Sequence, residues 1–207
     1  MQILLVRHGE SEGNAAQRVQ GLRDEALTPI GRQQAAALAV RLCNGYCVDS
    51  VYSSPLRRAL DTACTIADAL NLPVICDDRL KEYDCGLIAG MTFEELGVAY
   101  PEVARRWRED EQRAALPGEE GLEGFVQRVT GAMKEISLAH ADRAEVVVVT
   151  HGGVLSNYLS GLLRLDLAKR QPWTFDNASL SIVDFGGQFP RIVLLNDTGH
   201  LQSWRPQ

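Results

Sequence analysis

Short runs of Val, Ile and Leu alternate along the chain with longer stretches in which apolar residues recur every three or four positions. The runs predict strands over residues 3–6, 51–53, 74–76 and 146–149, then two closing strands over 179–185 and 191–195 joined through Gly186-Gly187. The run from Val146 to Val149 is unbroken and β-branched, the pattern of a strand buried on both faces. Thr28-Pro29 pairs an N-cap with proline at the first helical position, ahead of an apolar face of Ala35, Leu38, Ala39 and Leu42. Ser54-Pro55 repeats that device before Leu56, Leu60, Ala63, Ala67 and Leu70. Thr92-Phe93-Glu94-Glu95 has the form of a capping box, opening a helix that Gly97 or Pro101 should interrupt. Leu122, Phe125, Val126, Val129, Met133 and Ile136 mark another helix, and one more runs from Val154 to about Leu165. Residues 77–90 read as loop.

Strands alternating with helices predict an α/β fold, a three-layer α/β/α sandwich around a mostly parallel central sheet. The 207 residues suffice for one well-buried core, and no repeat or long linker divides them, so a single domain over 1–207 is expected. In such sheets ligands bind outside the carboxyl ends of the strands. Three strand ends carry polar residues: Arg7-His8-Gly9, the stretch from Ser53 to Arg58, and His151-Gly152-Gly153.

Charge narrows the chemistry. With a formal net charge of −6 the chain as a whole repels anions, so neither nucleic acid nor a membrane surface is an expected partner. An anionic substrate would need a local cluster of cations. The five cysteines are scattered, with no second Cys/His pair at zinc-ligand spacing, and read as reduced thiols serving as small apolar residues. The apolar run near the start is too short for a signal peptide or a span, which leads to the expectation of a cytoplasmic protein.

Two of the four histidines, His8 and His151, stand at strand ends and precede glycine, which lets backbone approach a ligand closely. Parallel topology would bring both to one rim. Arg7 adjoins His8, and Arg57 opens the helix after Ser53-Ser54-Pro55. Guanidinium groups match phosphate oxygens, and an imidazole held between cations stays neutral and nucleophilic. Helix N-termini add backbone donors for an anion. Arg58 is expected on the solvated face of its helix, as are Arg105, Arg106 and Arg108 on theirs.

Here the motifs converge on a family. The run Leu5-Val6-Arg7-His8-Gly9-Glu10-Ser11 with Asn14 resembles the signature of the histidine phosphatase superfamily, in its phosphoglycerate-mutase-like branch. Leu27-Thr28-Pro29-Ile30-Gly31-Arg32-Gln33-Gln34-Ala35, Ser53-Ser54-Pro55-Leu56-Arg57-Arg58-Ala59 with Thr62, and Thr150-His151-Gly152-Gly153-Val154 extend the resemblance over nearly the whole chain. It implies that His8 accepts the phosphoryl group and that Arg7, Arg57 and His151 form the phosphate pocket. The candidate substrate contacts are Asn14, Gln20, Gly21 and Gly152. The segment Leu80-Lys81-Glu82-Tyr83-Asp84-Cys85-Gly86 resembles the loop bearing the proton donor, which puts that role on Glu82, with Asp84 as a neighbouring competitor. No metal and no cofactor are implied.

The expected activity is hydrolysis of a small phosphorylated metabolite by a phosphohistidine-dependent phosphomonoesterase. The alternatives are a cofactor-dependent phosphoglycerate mutase and a non-catalytic phosphate-binding module. The compact region between the proton-donor loop and the late histidine favours hydrolysis over the mutase reaction. Two segments depart from the family pattern: Ile88-Ala89-Gly90, where many relatives carry Trp-Glu before the glycine, and Glu119-Glu120-Gly121, where Gly-Glu-Ser is common. Both lie where the substrate pocket is usually shaped. The oligomeric state is left open, a homodimer being one option.

Overall fold

The computed structural model describes residues 1–109, 114–140, 144–169 and 171–204. Six strands form one sheet: β1 (Gln2–Arg7), β2 (Val48–Ser53), β3 (Val74–Cys76), β4 (Glu145–Thr150), β5 (Leu180–Asp184) and β6 (Arg191–Asp197). Their order is β3-β2-β4-β1-β5-β6. The pairings of β3 with β2, β2 with β4 and β4 with β1 are parallel, whereas β5 is antiparallel to both β1 and β6. A mostly parallel sheet was expected, and the one reversed strand follows from the short β5–β6 connection through Gly186-Gly187. A hairpin needs only a few residues, whereas a parallel crossover needs a dozen or more.

The two central strands explain their own sequences. On β1, Ile3 and Leu5 enter one core cluster while Leu4 and Val6 enter the other. On β4, Val146 and Val148 face the first cluster and Val147 and Val149 the second. Successive side chains of a strand point to opposite faces, so a strand covered on both sides must be apolar at every position. Helices α2 (Pro29–Gly45) and α3 (Arg57–Leu70) cover one face, while α6 (Leu122–Ala139) and α7 (Gly152–Leu162) cover the other. The remaining helices are α1 (Glu12–Ala15), α4 (Phe93–Ala99) and α5 (Pro101–Glu109). Among the described residues no helix is long and apolar enough to cross a membrane.

Local signals behaved unequally. Thr28 caps α2 through a hydrogen bond from the Gly31 N–H, with Pro29 at the first position, and Thr92 and Glu95 form the complete capping box of α4. Pro101, rather than Gly97, separates α4 from α5 by opening the latter. Ser54-Pro55 does not cap α3. That helix begins at Arg57 after Leu56, and the Ser54 hydroxyl instead accepts from the Leu56 N–H at 3.3 Å. The segment 77–90 is irregular as expected but contains two 3₁₀ turns, Asp78–Leu80 and Gly86–Ile88. Of the cysteines only Cys85 is buried; Cys43, Cys47, Cys64 and Cys76 are exposed, so the expectation of small apolar residues holds for one of them.

Candidate active site

The sheet register assembles the site before any side chain is considered. Arg7 on β1 stands opposite Thr150 on β4, so the next residues, His8 and His151, leave adjacent parallel strands side by side. Their ring centroids lie 5.2 Å apart. Both rings are buried, His8 at 3% and His151 at 0% exposure. Gly9 is glycine because the carbonyl of Gly31, at the start of α2, occupies the space a Cβ would need.

Each histidine is held by a particular bond. His8 Nδ1 lies 2.7 Å from the carbonyl oxygen of Gly9. A carbonyl only accepts, so Nδ1 carries the proton and Nε2 keeps its lone pair. His151 Nε2 lies 2.8 Å from the Ser54 hydroxyl. That hydroxyl also accepts from the Leu56 N–H, and when it donates its own proton to His151 Nε2 the ring hydrogen stands on Nδ1. Burial, the Arg58 charge and then the Arg7 charge hold His8 well below the usual histidine range. Burial, Arg58, the neighbouring His8 and Arg7 do the same to His151. Both rings are therefore neutral at pH 7.

The arginine beside them is Arg58, which corrects the expectation from sequence. Arg57 is exposed, with its side chain 61% accessible and paired with Asp61 one turn on. Arg58 is 1% exposed and donates to the carbonyls of Arg23 at 2.6 Å and Gly21 at 2.9 Å. The reason is helix phase. The buried positions of α3 are Arg58, Ala59, Thr62, Ala63, Ile66 and Ala67, so the expected Ala63 and Ala67 share their face with Arg58, and Arg57 falls outside it. Arg7 donates to the Phe175 carbonyl, and its Nε has no hydrogen-bond partner among the described residues. Arg58 Nε and His151 Nδ1 are likewise buried and without a partner. Three unmatched buried nitrogens in one neighbourhood, two of them guanidinium donors, are costly, each by about 1–3 kcal/mol, unless an anion satisfies the site.

Glu82 completes the arrangement. Its Oε2 accepts from the Gly153 N–H at 3.0 Å and its Oε1 from the Tyr83 N–H at 2.8 Å. A Cβ at Gly153, near the N-terminus of α7, would push that carboxylate aside, so glycine there leaves Glu82 its place. The competitor Asp84 is turned away, its Oδ1 accepting from the Gly86 N–H at 2.9 Å.

Arg7, His8, Gln20, Gly21, Arg58, Glu82, Gly152 and Gly153 all line one cleft of about 760 Å³. Asn14 does not line it. Its Oδ1 accepts from the Ser11 N–H and hydroxyl and from Asn177, which also donates to the His8 carbonyl at 3.2 Å. Asn14 thus braces the His8 loop. The outer wall of the cleft includes Phe93, Trp107, Leu116, Leu122 and Trp173, none of which carried a motif. Phe93 and Trp107 pack edge to face at 5.6 Å, and the Trp173 indole donates to Ser160 at 2.6 Å.

The histidine phosphatase superfamily (branch 1) model matches residues 3–198. The chain is 40% identical over 201 residues to phosphoserine phosphatase 1 of Hydrogenobacter thermophilus, covering 97% of this chain and 94% of that protein. It is 34% identical over 204 residues to the metal-independent phosphoserine phosphatase of Arabidopsis thaliana, covering 98% and 84%. Among solved structures, a mycobacterial glucosyl-3-phosphoglycerate phosphatase superposes with a TM-score of 0.85 at 30% identity, covering 94% of this chain and 98% of that one. With its paired histidines on adjacent strand ends and its motifs in family order, the chain belongs to branch 1 of the histidine phosphatase superfamily.

Proposed function

We propose that this chain hydrolyses small phosphomonoesters through a phosphohistidine on His8. The observation that carries the reading is the convergence of a neutral His8, protonated on Nδ1, with three buried nitrogens that have no partner among the described residues, Arg7 Nε, Arg58 Nε and His151 Nδ1. Nε2 attacks phosphorus in line, the ester P–O bond breaks, and the leaving oxygen takes a proton from Glu82. A water molecule then gives a proton back to Glu82 and attacks the phosphohistidine, the P–N bond breaks, and inorganic phosphate leaves. Negative charge on the three equatorial oxygens is held by Arg7, Arg58 and His151. The cleft lined by His8 and Arg58 is lined also by Phe93, Trp107 and Trp173 together with polar groups such as Asn157 and Lys169, which supports placing the body of the alcohol among them. The four exposed free cysteines, Cys43, Cys47, Cys64 and Cys76, support a cytoplasmic setting, where thiols stay reduced.

Replacing His8 with Ala tests this reading. Turnover should fall on the order of 10⁶-fold, the scale seen when a nucleophile is removed, and the acid-labile phosphoenzyme of the wild type should disappear. Turnover that persists without His8 would overturn it. Incubation with 3-phosphoglycerate should release phosphate rather than yield an isomer.

A further inference from the structure

We propose that Arg128, locked by Glu120, is a positioning residue that fixes the loop presenting Glu82 and so sets the efficiency of leaving-group protonation. The inference rests on the reading of Glu82 given above. Arg128 lies on α6 and has five N–H donors, all of which are used. Nη1 donates to the carbonyls of Arg79 at 2.9 Å and Lys81 at 2.6 Å. Nη2 donates to the carbonyl of Glu82 at 2.9 Å and to Glu120 Oε1 at 2.6 Å, and Nε donates to Glu120 Oε2 at 2.9 Å. The guanidinium also sits 4.7 Å from the centre of the Phe125 ring, which packs edge to face on Tyr83.

Those contacts leave the loop little freedom. The one carbonyl in the series that Arg128 does not take, that of Leu80, accepts from the Thr150 hydroxyl at 2.8 Å. Four consecutive carbonyls, from Arg79 to Glu82, are thus pinned to α6 and β4. Residue 82 is gripped at both ends, its carbonyl by Arg128 and its carboxylate by the N–H groups of Gly153 and Tyr83.

Glu120 closes the clamp from the far side. Besides its two bonds to Arg128, its Oε1 accepts from the Asp84 N–H at 2.8 Å, and its own N–H donates to the Asp84 carbonyl at 3.2 Å. The ion pair is partly shielded, each side chain being 21% exposed. Neighbouring bonds run the same way: Gly121 N–H to the Tyr83 hydroxyl at 3.1 Å, and Leu87 N–H to the Pro117 carbonyl at 2.9 Å. The two segments that depart from the family pattern, around Ile88 and around Glu120, therefore lie in one strap. Ile88 is fully buried in the core beneath it. A guanidinium fork suits this task because it fixes several acceptors in one plane, where an ammonium would act as a point charge.

The test separates protonation from general integrity. kcat/KM reports phosphoryl transfer to His8 and not the later attack of water, so it isolates the acid role of Glu82. It is measured for phosphoserine, phenyl phosphate and p-nitrophenyl phosphate, leaving groups of decreasing need for a proton. Arg128→Met should lose about 30–100-fold on phosphoserine, the scale of an ångström-level misplacement, and less than about 3-fold on p-nitrophenyl phosphate. Glu120→Gln should show the same gradient at about 3–10-fold, and Arg128→Lys should fall between wild type and Arg128→Met. Equal losses on all three substrates, or none, would overturn the proposal. Should Arg128→Met not fold, the Glu120→Gln and Arg128→Lys gradients decide. Glu82→Gln is the reference: absence of a gradient there sinks the Glu82 reading itself, whereas a gradient in Glu82→Gln but not in the clamp variants sinks only the clamp.

Discussion

The two ends of the cleft are built by different means. At the phosphate end, Arg7, His8, His151 and Ser54 stand on or directly after paired strands, and the register of β1, β4 and β2 decides where they meet. At the alcohol end, Glu82, Leu116 and the aromatic residues stand on loops and short helices whose placement depends on side-chain bonds such as those of Arg128. A ladder fixes strand ends to within a fraction of an ångström at no cost to the residues it presents. A loop must be held by the very side chains that could otherwise vary. The first construction keeps the chemistry constant, and the second leaves the choice of substrate adjustable.

The sharpest way to break this comparison is at Arg58. Arg58→Ala should reduce kcat/KM by about 10²–10³-fold, as for loss of one donor to developing charge, and Arg57→Ala should change it less than about 3-fold. Comparable losses in the two variants would show that burial on α3 does not select the phosphate ligand. A smaller effect is expected at Gly153, which joins the two halves by giving its N–H to Glu82. Gly153→Ala drives a Cβ into that carboxylate, and kcat/KM on phosphoserine should fall by about 10–100-fold while p-nitrophenyl phosphate is largely spared.

The same division decided what could be read from the chain. The apolar runs located the strands, because a strand buried on two faces has no other composition, and glycine after each histidine marked the strand ends. Arg57 and Arg58 stand side by side in one motif, and only the phase of α3 separates them. Ala63 and Ala67 of the expected apolar face are buried, but so are Arg58, Ala59 and Thr62, while Leu60 and Leu70 are only partly so. Thr62 is a polar residue on that buried face and so adds nothing to an apolar pattern, yet its hydroxyl accepts from the Gly9 N–H at 3.1 Å and ties α3 to the His8 loop. Arg128 carried no motif at all. Its spacing from Phe125 and Val129 placed it at the edge of a buried face, but its five acceptors come from distant segments that periodicity cannot bring together. Trp107 and Trp173 were silent for the same reason.

Stability should show the cost of holding the strand-end histidines neutral. Their imidazoles are held well below the usual range in the fold, whereas in the unfolded chain they titrate near ~6.5. Below that pH the unfolded state binds protons that the folded state refuses, so folding stability is complete above ~6.5 and declines as pH falls. One unit below, each histidine contributes a loss of up to ~1.4 kcal/mol. Chemical denaturation at pH 7.5 and 5.5 should show a decline that is smaller in His8→Ala; an equal decline in that variant would place His8 among ordinary solvated histidines.

The smallest effect is expected from a single hydroxyl. The role proposed for His151 needs its hydrogen on Nδ1, the nitrogen without a partner among the described residues, and a Ser54 hydroxyl that donates to Nε2 at 2.8 Å holds it there. In Ser54→Ala the ring is free to move its hydrogen to Nε2, and Nδ1 then presents a lone pair to a phosphoryl oxygen where a donor is needed. Loss of one neutral hydrogen bond, about 0.5–1.5 kcal/mol, corresponds to roughly a 2–10-fold fall in kcat/KM, and it should be the same for phosphoserine and p-nitrophenyl phosphate because the phosphoryl group is common to both. Nitrogen-15 chemical shifts of the His151 ring would read the tautomer directly. An Nε2–H ring in the wild type would refute the assignment. An Nδ1–H ring that persists in Ser54→Ala would move control of the tautomer from the hydroxyl to the surrounding charges. A uniform loss here set beside the graded loss expected at Arg128 would separate a residue of the phosphate end from one of the alcohol end by substrate alone.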